Sequence, residues 1–268
     1  MQPASKIPAS ACRRARVVFT DIDDTLSNHG KLLPQAFEAL WRLHDAGVAV
    51  VPVTGRCAGW VDHVARFWPV AGVVGENGAL YFYFDEGARK LRKRYYFPPE
   101  EAARKKAALD AIRDEVLSRF PQLAVASDQP YREFDLAIDF CEDVPPQPWE
   151  VVEEVVATFR RHGANTKVSS IHVNGWFGDF DKLKTCKLFA GEVLGMDLEG
   201  DPAARDSCFF CGDSANDDPM FAFFPNSVGV ANVRKFLSRL THAPAYVTDG
   251  EGGLGFAEFV DALLAKRR

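Results

Sequence analysis

The sequence predicts an α/β protein with a doubly wound, parallel-sheet core interrupted by an inserted α+β domain. Near both ends of the chain, short apolar β-rich runs alternate with stretches of helical periodicity, whereas the middle third reads as paired strands separated by single helices. At 268 residues there is room for such a core and one smaller domain. With 47% hydrophobic and 26% charged residues the composition is that of a soluble globule. The formal charge of -5, with acids scattered along the chain, provides no basic field for nucleic acid.

Val17-Val-Phe-Thr20 is a buried parallel strand running directly into Asp21, and catalytic groups gather at such C-terminal strand ends. From Pro34 to Ala46, Phe37, Leu40, Trp41 and Leu43 recur at helical spacing. Gly47 ends that helix, and Val48 to Val53 forms the next strand, ending in Thr54-Gly-Arg56. A helix over about 58–67 and the strand Gly72-Val-Val-Gly75 continue the alternation.

The pattern then changes. Leu80 to Asp85 and Leu91 to Phe97 read as a hairpin, followed by a charged helix from Pro99 to about Phe120, strands near 122–128 and 133–140, and a helix from Pro148 to about His162. Strands at 167–173 and 175–180 complete a β-β-α-β-β-α-β-β order. A helix from about Asp181 to Gly195, the strand Cys208-Phe-Phe-Cys211, a helix from Pro219, the strand Val228-Gly-Val230 and a final strand and helix restore the α/β alternation. The core is therefore expected from 17–79 and 181–268, the insertion from 80–180, and residues 1–16 as a poorly ordered leader.

The six cysteines are dispersed and mostly lie in apolar runs, as reduced thiols do. Cys208 and Cys211 have CxxC spacing, but on a strand they face opposite sides and no second Cys/His pair accompanies them. No stretch has a membrane-spanning length of apolar residues, and residues 1–16 lack the apolar region of a secretory signal, so a cytoplasmic location is expected. Gly250-Glu-Gly-Gly-Leu-Gly255 fits a dinucleotide fingerprint, but only 13 residues follow it, which favours a glycine turn.

Asp21 and Asp23, two residues apart at a strand end, could supply a nucleophilic carboxylate with an adjacent proton donor. Gly212-Asp213, followed by Asn216, Asp217 and Asp218, ends a second strand almost two hundred residues later. Carboxylates converging beside one sheet repel, and hard oxygen donors without His or Cys favour Mg²⁺ over zinc.

Four segments in order resemble the motifs of the haloacid dehalogenase superfamily: Asp21-Ile-Asp-Asp-Thr-Leu26, Val53-Thr-Gly-Arg56, a lysine within 182–187, and Gly212-Asp-Ser-Ala-Asn-Asp217. The insertion is similar to the type C2 cap of the sucrose-phosphatase, trehalose-phosphatase and phosphomannomutase branch, and Glu76-Asn-Gly-Ala79 resembles the segment leading into that cap. The resemblance implies a Rossmann-like core and an enzyme hydrolysing phosphomonoesters through an aspartyl-phosphate. Asp21 would be the nucleophile and Asp23 the acid and base, with Mg²⁺ held by Asp21, Asp23 through its backbone carbonyl, Asp213 and Asp217. Thr54, Gly55 and a lysine would bind phosphate, Lys182 being preferred over Lys184 and Lys187 because it starts the helix.

Arg56, Asn77, Arg132, Asn174 and Asn216 are candidate substrate contacts, with Glu133 and His172 as weaker ones, whereas Trp176 is better read as packing. Asp218 before Pro219 serves equally well as a helix start. The five basic residues of 89–94 read as a solvated strand edge. Cap type points to a small sugar or polyol phosphate as the partner, with no nucleic acid, no membrane, and a monomer or weak homodimer. The alternatives are a phosphosugar mutase and a catalytically idle sugar-phosphate sensor.

Overall fold

The computed structural model describes residues 1–169 and 171–267. Its centre is a six-stranded parallel sheet in the order Gln2–Pro3, Tyr246–Val247, Asn226–Gly229, Cys208–Gly212, Val17–Thr20 and Ala49–Pro52. Side-chain alternation explains why both faces are covered. Val18, Phe209 and Cys211 point to one side, against the helices Pro34–Asp45 and Gly252–Ala265. Val17, Phe19, Cys208 and Phe210 point to the other, against Lys182–Glu192 and Asp218–Phe223. The two thiols of the CxxC spacing thus lie on opposite faces, and burial raises the pKa of both.

The parallel register is what matters for function. Cys211 stands opposite Thr20, and the Asp21 amide donates to the Cys211 carbonyl at 2.9 Å. Asp21 and Gly212-Asp213 therefore leave neighbouring strands at the same edge. The Val53 amide donates to Thr20 O at 2.8 Å, which brings Thr54-Gly-Arg56 to that edge too.

The insertion has its own four-stranded antiparallel sheet, in the order Asn165–Val168, His172–Trp176, Asp135–Asp139 and Ala124–Val125, covered by the helices Pro99–Arg119 and Trp149–Arg161. Three expectations need correcting. The hairpin Leu80–Asp85 and Lys90–Tyr95, assigned to the insertion, pairs with Val73–Gly75, which bridges Val53 of the core sheet, so it extends the core. The last insertion strands lie several residues earlier than expected, because a turn intervenes in which Ser169 Oγ accepts from the amides of Ile171 and His172.

Residues 1–16, expected as a poorly ordered leader, form a strand at Gln2–Pro3, a 3-10 turn and the helix Ala9–Arg14. Ile7 and Cys12 are fully buried in the core. The partners of this segment come from the far end of the chain: Pro3 pairs with Val247, and Lys266 Nζ donates to the carbonyls of Ser5 and Ile7. A two-residue strand has no local signature, so only its remote partner makes it one. The glycine-rich stretch starts the last helix. A side chain at Gly253 would meet Leu26 O at 2.5 Å, so glycine lets this helix close on the loop after Asp21.

Ile7→Ala should cost about 2–5 kcal/mol of unfolding free energy, measured by urea titration, because it empties a fully enclosed site. A disordered leader would show no change.

Candidate active site

Asp21, Asp213 and Asp217 are all buried, and one carboxylate oxygen from each lies within 4.8 Å of the others. Local chain geometry builds this cluster. Gly212 has no side chain because a Cβ there would meet Asp217 Oδ2 at 2.4 Å. The Asp217 carboxylate can therefore fold back and accept the Asp213 amide at 3.1 Å, within a capping box completed by Ser214. Thr25 Oγ1 donates to Asp213 Oδ1 at 3.0 Å, a contact not predicted from sequence although Thr25 lies in the first acidic segment.

Lys182 is the cation among them, with Nζ at 2.8 Å from Asp21 Oδ2 and 3.4 Å from Asp217 Oδ1. Lys184 pairs with Asp179 and Lys187 with Glu199, both away from the cluster. Lys182 is placed by the turn Glu76-Asn-Gly78. Gly78 has φ +107°, and a Cβ there would strike the Asp181 carbonyl at 2.3 Å, while Thr185 Oγ1 donates to Gly78 O. The start of the Lys182 helix is thus pressed against this turn.

One ammonium does not neutralise three buried carboxylates. Burial, followed by the neighbouring acids, pushes Asp213 well above the carboxylate range. Burial also raises Asp21 to about 7, opposed by Lys182 and reinforced by Asp217. The Lys182 ammonium is held charged: burial acts against it, but Asp21 and Asp217 outweigh burial. An all-oxygen, electrostatically incomplete cluster of this kind fits a hard divalent cation.

Asp23 sits beside the cluster on the wall of a cavity of about 290 Å³ between the core edge and the inserted sheet. Arg56 Nε is 3.1 Å from both of its carboxylate oxygens, and a terminal nitrogen is 2.8 Å from Oδ1. Arg56, expected to touch substrate, is thus largely committed to Asp23, stacks over Trp60, and lies 3.7 Å from Glu142 of the insertion. Gly55 lines the cavity, where an added Cβ would lie a tight 3.1 Å from the Asn77 side-chain oxygen. Asn77 is buried, with its Nδ2 lacking a hydrogen-bond acceptor, so it is a ready donor for an anion in the cavity. Thr54 does not reach the lining: it is fully buried, and its Oγ1 accepts the Arg56 amide at 3.0 Å.

Arg132, the other arginine expected at the substrate, joins the insertion to the core instead. Its side chain is 1% exposed, pairs with Asp128 and Asp135, and donates to the Gly55 carbonyl at 3.0 Å. Asn174 lines the cavity but donates to Asp135 Oδ2, and Asn216 accepts from Ser214. His172 faces Glu142, and Trp176 packs on Phe180. Asp218 has a structural role, accepting the amides of Thr241 and His242.

Sequence reasoning missed Glu76. It is fully buried at φ +45° and accepts the amides of Ala58, Glu133 and Phe134. The Glu133 contact is through its backbone, so this residue is also a joint element. Its signal in the sequence was only its place ahead of Asn77-Gly78.

Residues 18–116 match the family model described as haloacid dehalogenase-like hydrolase. The resemblance read from the motifs is therefore to that family. No curated protein matches the chain. Among solved structures, a protein from Thermoplasma acidophilum has a TM-score of 0.70 at 19% identity, over 93% of this chain and 98% of that one. The sucrose-phosphatase of Synechocystis sp. PCC6803 has 0.64 at 15%, covering 93% and 98%. A haloacid dehalogenase-like hydrolase from Bacteroides thetaiotaomicron has 0.63 at 17%, covering 92% and 98%. These likenesses establish a shared fold that spans the core and the insertion together. No helix among the described residues is long and apolar enough to cross a membrane.

Burial and Asp135 raise Glu76 to about 8, so between its ordinary 4.5 and that value the folded state holds a proton the unfolded chain has lost. Stability should therefore fall as pH rises through this window. Urea unfolding of Glu76→Gln across pH 5 to 9 should show a flatter decline than the parent.

Proposed function

We propose that the protein is a Mg²⁺-dependent phosphomonoester hydrolase acting through an aspartyl-phosphate on a small sugar or polyol phosphate. The observation that carries this reading is the buried Asp21, in contact with Lys182 and clustered with Asp213 and Asp217 at the floor of a cavity that a second domain roofs.

The chemistry follows from the positions of these groups. Asp21 attacks phosphorus, so the phosphoryl group passes to its carboxylate and the substrate oxygen departs. Lys182, the Gly55 loop and the Asn77 amide surround the place where the phosphoryl oxygens would lie, which offsets the repulsion between carboxylate and phosphate. A divalent cation held by Asp21, Asp213 and Asp217 would supply further positive charge for that approach. Asp23 protonates the departing oxygen and then takes a proton from the water that hydrolyses the aspartyl-phosphate. Its carboxylate is held by Arg56, a contact that must loosen for it to reach the departing oxygen.

The roof limits substrate size, since 290 Å³ lies at the lower end of ligand-pocket volumes. It also excludes bulk water from the reacting groups. The buried thiols of Cys12, Cys57, Cys186, Cys208 and Cys211 support the reading of a reducing, cytoplasmic setting.

Asp21→Asn should lower p-nitrophenyl phosphate hydrolysis in the presence of Mg²⁺ by about 10³-fold or more, with inorganic phosphate release as the readout. Parent-like turnover would sink the mechanism. Mg²⁺ at about a hundred times its Kd should add about 2.7 kcal/mol to unfolding free energy. Asp213→Asn should abolish that gain while leaving the metal-free protein at least as stable, because it relieves the carboxylate crowding. Equal Mg²⁺ stabilisation of both proteins would show that the cation binds elsewhere.

A further inference from the structure

The cations lining the cavity differ in whether they are already neutralised. Lys182 is paired with Asp21 and Asp217, Arg56 with Asp23, and Arg132 with Asp128 and Asp135, while Arg239 lies over the Trp149 ring with no carboxylate partner among the described residues. Lys167 has no carboxylate or other hydrogen-bonding partner among the described residues, although it projects from the inserted sheet into the same space. It stands in register opposite Asn174, whose amide is tied to Asp135, so the strand beneath it is fixed. Lys167 also lines a smaller side pocket of about 40 Å³ together with Asn77, Lys182 and Asn216. Lys167 thus borders both spaces. Partial burial and then Lys182 lower its pKa against the pull of Asp217, Asp181 and Asp218, and the side chain remains open to solvent and to a ligand in the cavity.

Lys182, Gly55 and Asn77 already surround the place assigned to the transferred phosphoryl group, so a further unpaired ammonium on the roof calls for a second anion. We propose that Lys167 is a specificity residue that binds a second negatively charged group on the substrate, so that the substrate is a phosphoester of a sugar acid or hydroxy acid. This inference rests on the phosphatase reading above and narrows its substrate class. The insertion thereby selects by charge as well as by size. A neutral polyol phosphate would leave the Lys167 ammonium, which water still reaches, without a counter-charge on the substrate.

The test uses matched pairs of small phosphoesters, with inorganic phosphate release measured in Mg²⁺: 3-phosphoglycerate against glycerol 3-phosphate, and 6-phosphogluconate against glucitol 6-phosphate. Within at least one pair the acid should be preferred. Lys167→Ala should reduce kcat/KM for the preferred acid by about 10- to 100-fold, mainly through KM, while leaving the neutral member within about twofold. Lys167→Arg should retain most of the preference, which separates charge recognition from damage to the roof. If the parent favours the neutral member in both pairs, or if Lys167→Ala lowers acid and neutral substrates alike, the proposal is overturned and the phosphatase reading stands. If the parent releases phosphate from none of these esters nor from p-nitrophenyl phosphate, the phosphatase reading fails and this inference falls with it.

Discussion

The site depends first on the parallel register between Val17–Thr20 and Cys208–Gly212. With Cys211 opposite Thr20, two strands separated by almost the whole chain deliver Asp21 and Asp213 to one edge of the sheet. A slip of one residue would turn Asp21 toward the other face and exchange the two apolar sets, placing Val18 where Phe19 belongs. The aromatic packing of Phe19 and Phe210 with Phe224 on one face, and of Phe209 with Phe259 on the other, fixes the register. Core packing thereby forces carboxylates together that would otherwise repel. The fold sustains this because Lys182, Thr25 and the backbone amides of the 213–217 turn offset part of the cost.

A second constraint lies at the joint between the domains. Glu76 and Asn77 are consecutive non-glycine residues with positive φ, a conformation that costs free energy and persists only where surrounding contacts enforce it. Here the enforcing contacts are visible. Glu76 binds amides from both the core and the insertion, Arg132 reaches from the insertion to Gly55, and Gly78 abuts the start of the Lys182 helix. The strained turn therefore holds three parts of the site relative to one another: the Gly55 loop, the Asn77 amide and Lys182. Movement of the roof would be felt at the floor through Arg132, and at Asp23 through Arg56 and Glu142.

The class of fold and the acids that follow its strands were legible in the chain, because each has a local signature. Buried parallel strands are continuous apolar runs, helices show their spacing, and acids directly after a strand stand out from ordinary turns. The short strands were less legible: Ala124–Val125 is two residues long, and Asn165–Val168 and His172–Trp176 are set apart by contacts of the Ser169 side chain that spacing does not reveal. The Leu80–Tyr95 hairpin was visible as a hairpin, but which sheet it joined was not.

By itself the sequence determined the class of fold and set Asp21, Asp23, Asp213 and Asp217 as acids following apolar strand runs, since those features are written in nearby positions. Only the tertiary structure decided which of three lysines meets Asp21, that Arg56 and Arg132 hold carboxylates of the protein itself, that Thr54 stands behind the cavity wall, and that the first sixteen residues belong to the core. The physical reason is common to all of these. Whether a charged side chain is paired, or a two-residue strand is satisfied, depends on partners tens to hundreds of residues away, and one-dimensional spacing carries no record of them.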